Sequence, residues 1–318
     1  MLLIFLVGVA LLALMPAPAA ADGLPAVGID ARPLSLPGGE VAYVTESGRH
    51  STRLVERARY GGPMRDRRLP GSFSIPAVAY DGSPSGLSAG GRTLVLISPR
   101  VRYPRKRTTF AILDARRLAL RRRISLKGDF SFDAISADGR LMYLVEYNPR
   151  ELGEYQVRAY DLGARRLLRR PVVDPREPDE EMYGAPVTRV ADGEGRWAYT
   201  LYQSAEHPFV HAFDTERRTA VCIDLHDLRQ VWGATLDLRG RTLEVTGRQG
   251  RVLARIDRRT HRLMKPPAPR TDDAGTSWLP LAAPTAALLL LAAVTRRRLG
   301  QSANDHQARL RRRSVSGR

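Results

Sequence analysis

A unit that recurs along the middle of this chain limits its possible folds more than any other feature. The first half of the unit is a glycine turn feeding an apolar strand. It appears as Gly39-Glu40-Val41-Ala42-Tyr43-Val44, Gly91-Arg92-Thr93-Leu94-Val95-Leu96, Gly139-Arg140-Leu141-Met142-Tyr143-Leu144, Gly195-Arg196-Trp197-Ala198-Tyr199-Thr200 and Gly240-Arg241-Thr242-Leu243-Glu244-Val245. The leading glycines lie 52, 48, 56 and 45 residues apart. The second half is a strand that ends in an acid and a turn, at 110–114, 157–161, 210–214 and 252–257. The first copy carries Glu56 where the others carry aspartate, yet its frame holds. Segments 53–71 and 110–128 are both 19 residues long, followed by Ser-Phe-Ser-Ile and Asp-Phe-Ser-Phe.

These residue types have physical reasons. A tight connection between two strands needs a residue that tolerates positive φ, which glycine does, and an aspartate carboxylate can accept backbone N–H groups within its own turn. The apolar runs between turns are four to seven residues long and rich in β-branched and aromatic side chains, and no long amphipathic helix interrupts them. The class is therefore all-β. A period of this length matches one four-stranded blade of a radial array, which buries the edges of its sheets by closing on itself. Five blades fill the middle of the chain, or six if residues 24–36 and the last strands share one.

The stretch Ser136-Ala137-Asp138-Gly139-Arg140-Leu141-Met142-Tyr143-Leu144-Val145 resembles the S-x-D-G-x-x-x-Y-V stretch of bacterial YVTN/WD40-like β-propeller repeat proteins. Tyr160-Asp161-Leu162-Gly163-Ala164-Arg165-Arg166-Leu167 and Phe213-Asp214-Thr215-Glu216-Arg217-Arg218-Thr219 are similar to that family's I-D-T-x-T-x-x-V stretch. The resemblance covers about residues 27–264 and implies a β-propeller of four-stranded blades. The chain departs from the pattern where Gly90, Gly193 and Arg239 replace or shift the turn aspartate, and no blade carries a Trp-Asp pair closing its third strand. Because the matching residues build turns, the resemblance implies architecture and not activity.

Two apolar segments flank the repeats. Residues 1–21 run apolar to Met15, break at Pro16 and Pro18 and end in Ala19-Ala20-Ala21, the form of a secretory signal peptide cleaved ahead of Asp22, although no Lys or Arg precedes the run. Residues 278–294 carry no charge and lead directly into Arg296-Arg297-Arg298. At about 1.5 Å per residue that run reaches roughly 25 Å, slightly short of a bilayer core of about 30 Å, and the arginines place its far end in the cytoplasm. The expected order is a signal peptide (1–21), a propeller ectodomain (22–264), a Pro-rich linker (265–277), a transmembrane helix (278–294) and a basic cytoplasmic tail (295–318). That tail fixes topology and can contact anionic lipids. The expected location is the cell membrane of a bacterial envelope, single-pass, with the bulk of the chain extracytoplasmic.

Composition adds limits. Lys+Arg 51 against Asp+Glu 33 gives a formal charge of +18, but only Lys106, Lys127 and Lys265 are lysines. So strong an arginine bias is what GC-rich codon usage yields unaided, and the charge is weak evidence for a nucleic-acid partner. One cysteine, Cys222, excludes an intramolecular disulfide and every multi-cysteine zinc site.

Chemistry-bearing motifs are sparse. His207 and His211 stand four apart, but Pro208-Phe209-Val210 points to the start of a strand, on which they lie about 13 Å apart, too far to chelate one ion. His226, near Asp224 and Asp227, is a weak addition. The acidic run 174–181 (DPREPDEE) reads as a solvated loop between blades. Gly82-Ser83-Pro84-Ser85-Gly86 fails as a nucleophile elbow because Pro84 takes the nucleophile's place. Cys222 sits in an apolar strand, the setting of an inert buried residue. Arg121-Arg122-Arg123, Arg165-Arg166, Arg169-Arg170 and Arg217-Arg218 fall at corresponding turns and predict a basic rim on one edge of the disc. No residue is assigned to catalysis, cofactor binding or metal, and no cofactor is expected. The reading is a non-catalytic binding or scaffold module for an envelope protein or polymer, without nucleic acid. The alternative is a propeller enzyme, a lactonase-like or metal-assisted hydrolase, with its site in the central channel.

Overall fold

The computed structural model describes residues 31–150, 154–179 and 182–264. The expected signal peptide, linker, membrane span and tail lie outside them. Among the described residues no helix is long and apolar enough to cross a membrane.

Among the described residues eighteen strands form five antiparallel sheets, and each strand pairs with its neighbour in sequence within its sheet. Sheet 1 holds β1 (Val41–Ser47), β2 (Ser51–Ala58) and β3 (Pro63–Pro70), and sheet 2 holds β4 (Thr93–Ile97), β5 (Arg107–Asp114) and β6 (Ala119–Lys127). Sheet 3 runs β7 (Phe130–Ile135), β8 (Leu141–Tyr147), β9 (Tyr155–Asp161) and β10 (Arg166–Val172). Sheet 4 runs β11 (Ala185–Ala191), β12 (Trp197–Gln203), β13 (Phe209–Asp214) and β14 (Thr219–Asp224). Sheet 5 runs β15 (Thr235–Arg239), β16 (Thr242–Thr246), β17 (Val252–Asp257) and β18 (Arg262–Leu263). The five sheets fit the five expected blades.

Four strands per blade is not met throughout. In sheet 1 the place before β1 holds a single bridge, Leu34↔Tyr43, and in sheet 2 the place before β4 holds Ser74↔Ile97 and Leu87↔Leu94. The cause is local. Pro33 and Pro37 flank Leu34, while Pro76 and Pro84 interrupt 74–87, and a proline donates nothing to a ladder. The shared sixth blade is also not formed by the described residues. Leu34 pairs within sheet 1, and β18 pairs with β17 in sheet 5 through Ile256↔Leu263.

The repeat seen in the sequence corresponds to two hairpins of each sheet. The glycine turn joins the innermost strand to the second one. Gly139, at φ 72°, shows why glycine is needed: a Cβ there would stand 2.7 Å from Thr93 Oγ1 of sheet 2. The acid ends the third strand. Asp257 Oδ1 accepts the amides of Arg259 and Thr260 at 2.9 Å each, and Asp214 Oδ1 accepts those of Glu216 and Arg217 at 3.0 Å each. Four residues after each aspartate the chain turns left-handed at a side-chain-bearing residue: Leu118, Arg165, Arg218 and His261.

Burial falls from the centre outward. Strands β4 and β7 are buried along their whole length: β4 sends apolar side chains from both faces toward neighbouring sheets, while β7 also buries Ser131 and Asp133. Leu54, Leu69, Leu94 and Leu113 join sheets 1 and 2, Phe110, Ile124, Phe132 and Leu144 join sheets 2 and 3, Tyr143, Val157 and Phe213 join sheets 3 and 4, and Leu201, Val210, Leu236 and Val245 join sheets 4 and 5. Each fully buried side chain of this size contributes about 1.5–3 kcal/mol. The outermost strands are the reverse: β3, β6 and β10 are mainly exposed and carry Arg65, Arg67, Arg68, Arg121, Arg123, Arg169 and Arg170. Charge on an open edge strand opposes pairing with another chain.

Candidate functional site

In the interior, residues of the irregular segment 75–88 meet the innermost strand of sheet 4. The amide of Tyr80 donates to the Pro186 carbonyl at 2.9 Å and that of Asp81 to Val187 at 3.3 Å. Asp81 then collects the polar groups around it. Its carboxylate accepts the Ser83 hydroxyl at 2.6 Å, the Thr188 hydroxyl at 2.9 Å and the Arg32 guanidinium at 2.8 Å. One layer away, Arg189 of β11 pairs with Asp133 of β7, both side chains at least 95% buried. Ser83 is thus the partner of an aspartate, as a triad serine never is directly, and its other contacts are the Arg32 guanidinium and the main chain of Arg189.

A cleft of about 290 Å³ opens beside this cluster, walled by Leu36, Ala89, Ile135, Asp192 and Trp197, with Arg59 and Arg189 at its edge. The Asp192 carboxyl is held above its ordinary pKa, chiefly by burial, and accepts the Arg196 amide at 2.9 Å in its own turn. The wall that four sheets share is mixed, with aliphatic side chains beside Arg59, Arg189, Asp192 and Thr215.

A second polar cluster lies between sheets 2 and 3. Asp129 Oδ1 accepts Arg100 Nη2 at 2.8 Å and Arg105 Nε at 3.1 Å, and Oδ2 accepts the Arg105 amide at 2.9 Å. All three side chains are buried, and the Arg100 guanidinium lies 4.7 Å from the Tyr147 ring centre. Burial, and then the neighbouring Arg100 charge, push the Arg105 guanidinium down to about 10. Asp129 stands in the Asp-Phe-Ser-Phe stretch that follows a repeat frame, but no periodic signal marks Arg100 and Arg105, which sit in the loop between β4 and β5.

The histidines separate as the strand argument requires, and then regroup. His211 is buried on β13, where burial pushes its imidazole down to about 4. His207, just ahead of β13, meets instead Asp224 at the end of β14, with Nε2 3.0 Å from Oδ1. His226 Nε2 lies 3.8 Å from Asp224 Oδ2, and the two imidazole rings are 4.4 Å apart. The sequence reading of His207 as an ordinary loop histidine missed this because Asp224 reaches it through the ladder Phe209↔Asp224, which spacing along the chain does not reveal.

Three further expectations change. Glu177 and Asp179 are exposed as a solvated loop requires, but Asp174 is buried, accepting the Cys222 amide at 3.0 Å and Arg176 Nε at 3.0 Å. Cys222 is half-buried on the outermost strand of sheet 4, not interior. The arginine pairs fall into two sets. Arg165-Arg166 and Arg217-Arg218 lie at or beside corresponding turns, whereas Arg121-Arg122-Arg123 and Arg169-Arg170 lie along outermost strands, so the basic surface follows the sheets' outer edges and not one rim.

The chain is similar to several solved structures. Against the β-propeller domain of Cps50 (Swd1) from Myceliophteria thermophila the identity is 13%, with 72% of this chain and 65% of that one covered and a TM-score of 0.41. Against the Dos1 propeller the figures are 10%, 74%, 58% and 0.44, and against TolB from Acinetobacter baumannii 15%, 72%, 53% and 0.41. The chain spans less than two thirds of the length of each of the three. The sequence matches no family model and no curated protein.

Proposed function

We propose that this chain is a membrane-tethered, extracytoplasmic β-propeller that binds or holds together envelope components and turns over nothing. One observation carries the reading: the carboxylates gathered where segment 75–88 meets sheet 4 are engaged by neighbouring side chains. The exposed Asp81 is taken up by Arg32, Ser83 and Thr188, and the buried Asp133 is held by Arg189 through Oδ1, which is how a scaffold uses charge. A catalytic centre instead keeps a poised base or nucleophile facing an open space. The exposed arginines of β3, β6 and β10 supply the recognition chemistry, and an anionic polymer or an acidic protein surface is the complementary partner. The span at 278–294 and the basic tail would hold such a module against the membrane.

Two measurements test this. Protease added outside intact cells should digest the 22–264 region and spare the tail, and protection of that region overturns the placement. Purified full-length protein should hydrolyse neither lactones nor esters, with or without divalent ions. Metal-dependent turnover that an Asp81→Asn exchange abolishes would establish the alternative, a metal-assisted hydrolase, and end the scaffold reading.

A further inference from the structure

We propose that His207, Asp224 and His226 form a binding site for one divalent transition ion of the zinc type, at the end of sheet 4. Among the described residues this is the group whose three ligand atoms, two imidazole nitrogens and a carboxylate oxygen, all lie within 4.8 Å of one another. A tetrahedral zinc ion with ligands about 2.0–2.1 Å away sets those ligands roughly 3.3 Å apart. His207 Nε2 stands 3.0 Å from Asp224 Oδ1 and His226 Nε2 stands 3.8 Å from Asp224 Oδ2, so each imidazole is near that spacing from one oxygen of the carboxylate. Rotation of the exposed His226 imidazole and of the carboxylate about their side-chain torsions closes the remainder.

The backbone holds these groups in place before any ion arrives. Asp224 is the last residue of β14 and faces Phe209 across the ladder, and the Leu225 amide donates to the Pro208 carbonyl at 2.9 Å. His207 and His226 therefore flank a hydrogen bond between two chain segments, one anchored by the buried Leu225 and the other stiffened by Pro208. Two imidazoles and one carboxylate favour zinc, nickel or copper over calcium or magnesium, which require more oxygens. Three protein ligands leave a fourth position for water or for a side chain from a partner.

The place of the site defines its role. All three ligands come from one sheet, at the strand ends and away from the interior cluster around Asp81. An ion here ties the segment before β13 to the segment after β14, as a clamp. It does not depend on the scaffold reading, since a clamp serves an enzyme equally.

The test is zinc titration of purified full-length protein, stripped with EDTA, against a chromogenic chelator, with cobalt(II) absorption to report the coordination. One ion per chain is expected, with tetrahedral cobalt bands. His207→Gln and His226→Gln should each weaken binding about tenfold or more, while His50→Gln leaves it unchanged. Circular dichroism of each variant checks that the sheets persist, which the position of both histidines outside the strands favours. Absence of a stoichiometric ion, or affinity unchanged in both His207→Gln and His226→Gln, overturns the site.

Discussion

The phenol of Tyr143, on the second strand of sheet 3, donates its hydrogen to the main-chain carbonyl of Thr215, in the turn after the third strand of sheet 4. The ring itself packs edge-on against Phe213, with centroids 4.6 Å apart. One residue of the glycine-turn motif thus docks on the aspartate-turn motif of the next sheet, joining the two halves of the repeat across an interface. Tyr143→Phe removes the hydroxyl and leaves the carbonyl unpaired, for a loss of about 1 kcal/mol in urea unfolding, whereas Tyr143→Ala also opens a cavity and costs about 3–5 kcal/mol. Equal effects from the two exchanges would show that the hydrogen bond, and not the ring, governs the contact.

Asp129 stands between two buried guanidiniums. Its removal strands two cations in a dry interface, so Asp129→Ala should destabilise by about 3–5 kcal/mol. Arg100→Met keeps the Asp129–Arg105 pair and replaces a buried charge with a side chain of similar reach, and its cost should be clearly smaller. The order of the two midpoints in chemical denaturation checks the assignment, and a reversed order refutes it.

The period of the fold was legible because turns are chemically specific. Gly139 and Asp214 each answer a local backbone requirement, and local requirements leave marks at fixed spacing. The left-handed residues Leu118, Arg165, Arg218 and His261 escaped notice because nothing in their side chains announces a positive φ. The pairings Asp133–Arg189 and Asp129–Arg100 were hidden for another reason: each joins residues of different sheets, at sequence distances that the repeat does not fix. The histidine group fell between these cases. Its residues were noticed singly, but the rung Phe209↔Asp224 that assembles them is a matter of register.

Acid should unfold the protein in two stages. Burial, opposed by Asp133 and reinforced by Arg189, lowers the His211 imidazole from 6.5 to about 4. Above pH 6.5 neither state binds the proton. As the pH falls from 6.5 to about 4 the unfolded chain takes it up and the folded chain does not, so stability declines by up to about 3 kcal/mol and then levels off. Burial raises the Asp174 and Asp214 carboxyls, but their hydrogen bonds to arginine side chains and backbone amides together outweigh it and hold both below the ordinary value of 3.8, which adds a further loss as the pH falls below that value. His211→Gln should shrink the upper stage to the part contributed by the His261 imidazole, which burial also lowers, and keep the lower one, as read from unfolding midpoints across that pH range. An unchanged upper stage in the variant would assign it to another group.

Glycine should be the more stable residue at both turns of the repeat, by different amounts and for different reasons. Arg165 is exposed and held at φ 58°, where a side-chain-bearing residue costs about 1–2 kcal/mol and glycine almost nothing. Glycine loses roughly 0.5–1 kcal/mol more chain entropy on folding, so Arg165→Gly should stabilise by about 0.5–1 kcal/mol. Gly139 has a comparable backbone angle, φ 72°, but no room: an added Cβ meets Thr93 Oγ1 at 2.7 Å and Thr93 Cβ at 3.1 Å. Gly139→Ala therefore adds the left-handed cost and a clash between sheets 2 and 3, a loss of about 2–4 kcal/mol. Thr93→Ala, which removes the Oγ1 that the new methyl group strikes, should recover part of that loss in the double variant and none of the left-handed cost. Additive effects of the two exchanges would mean that the sheets do not meet at this turn.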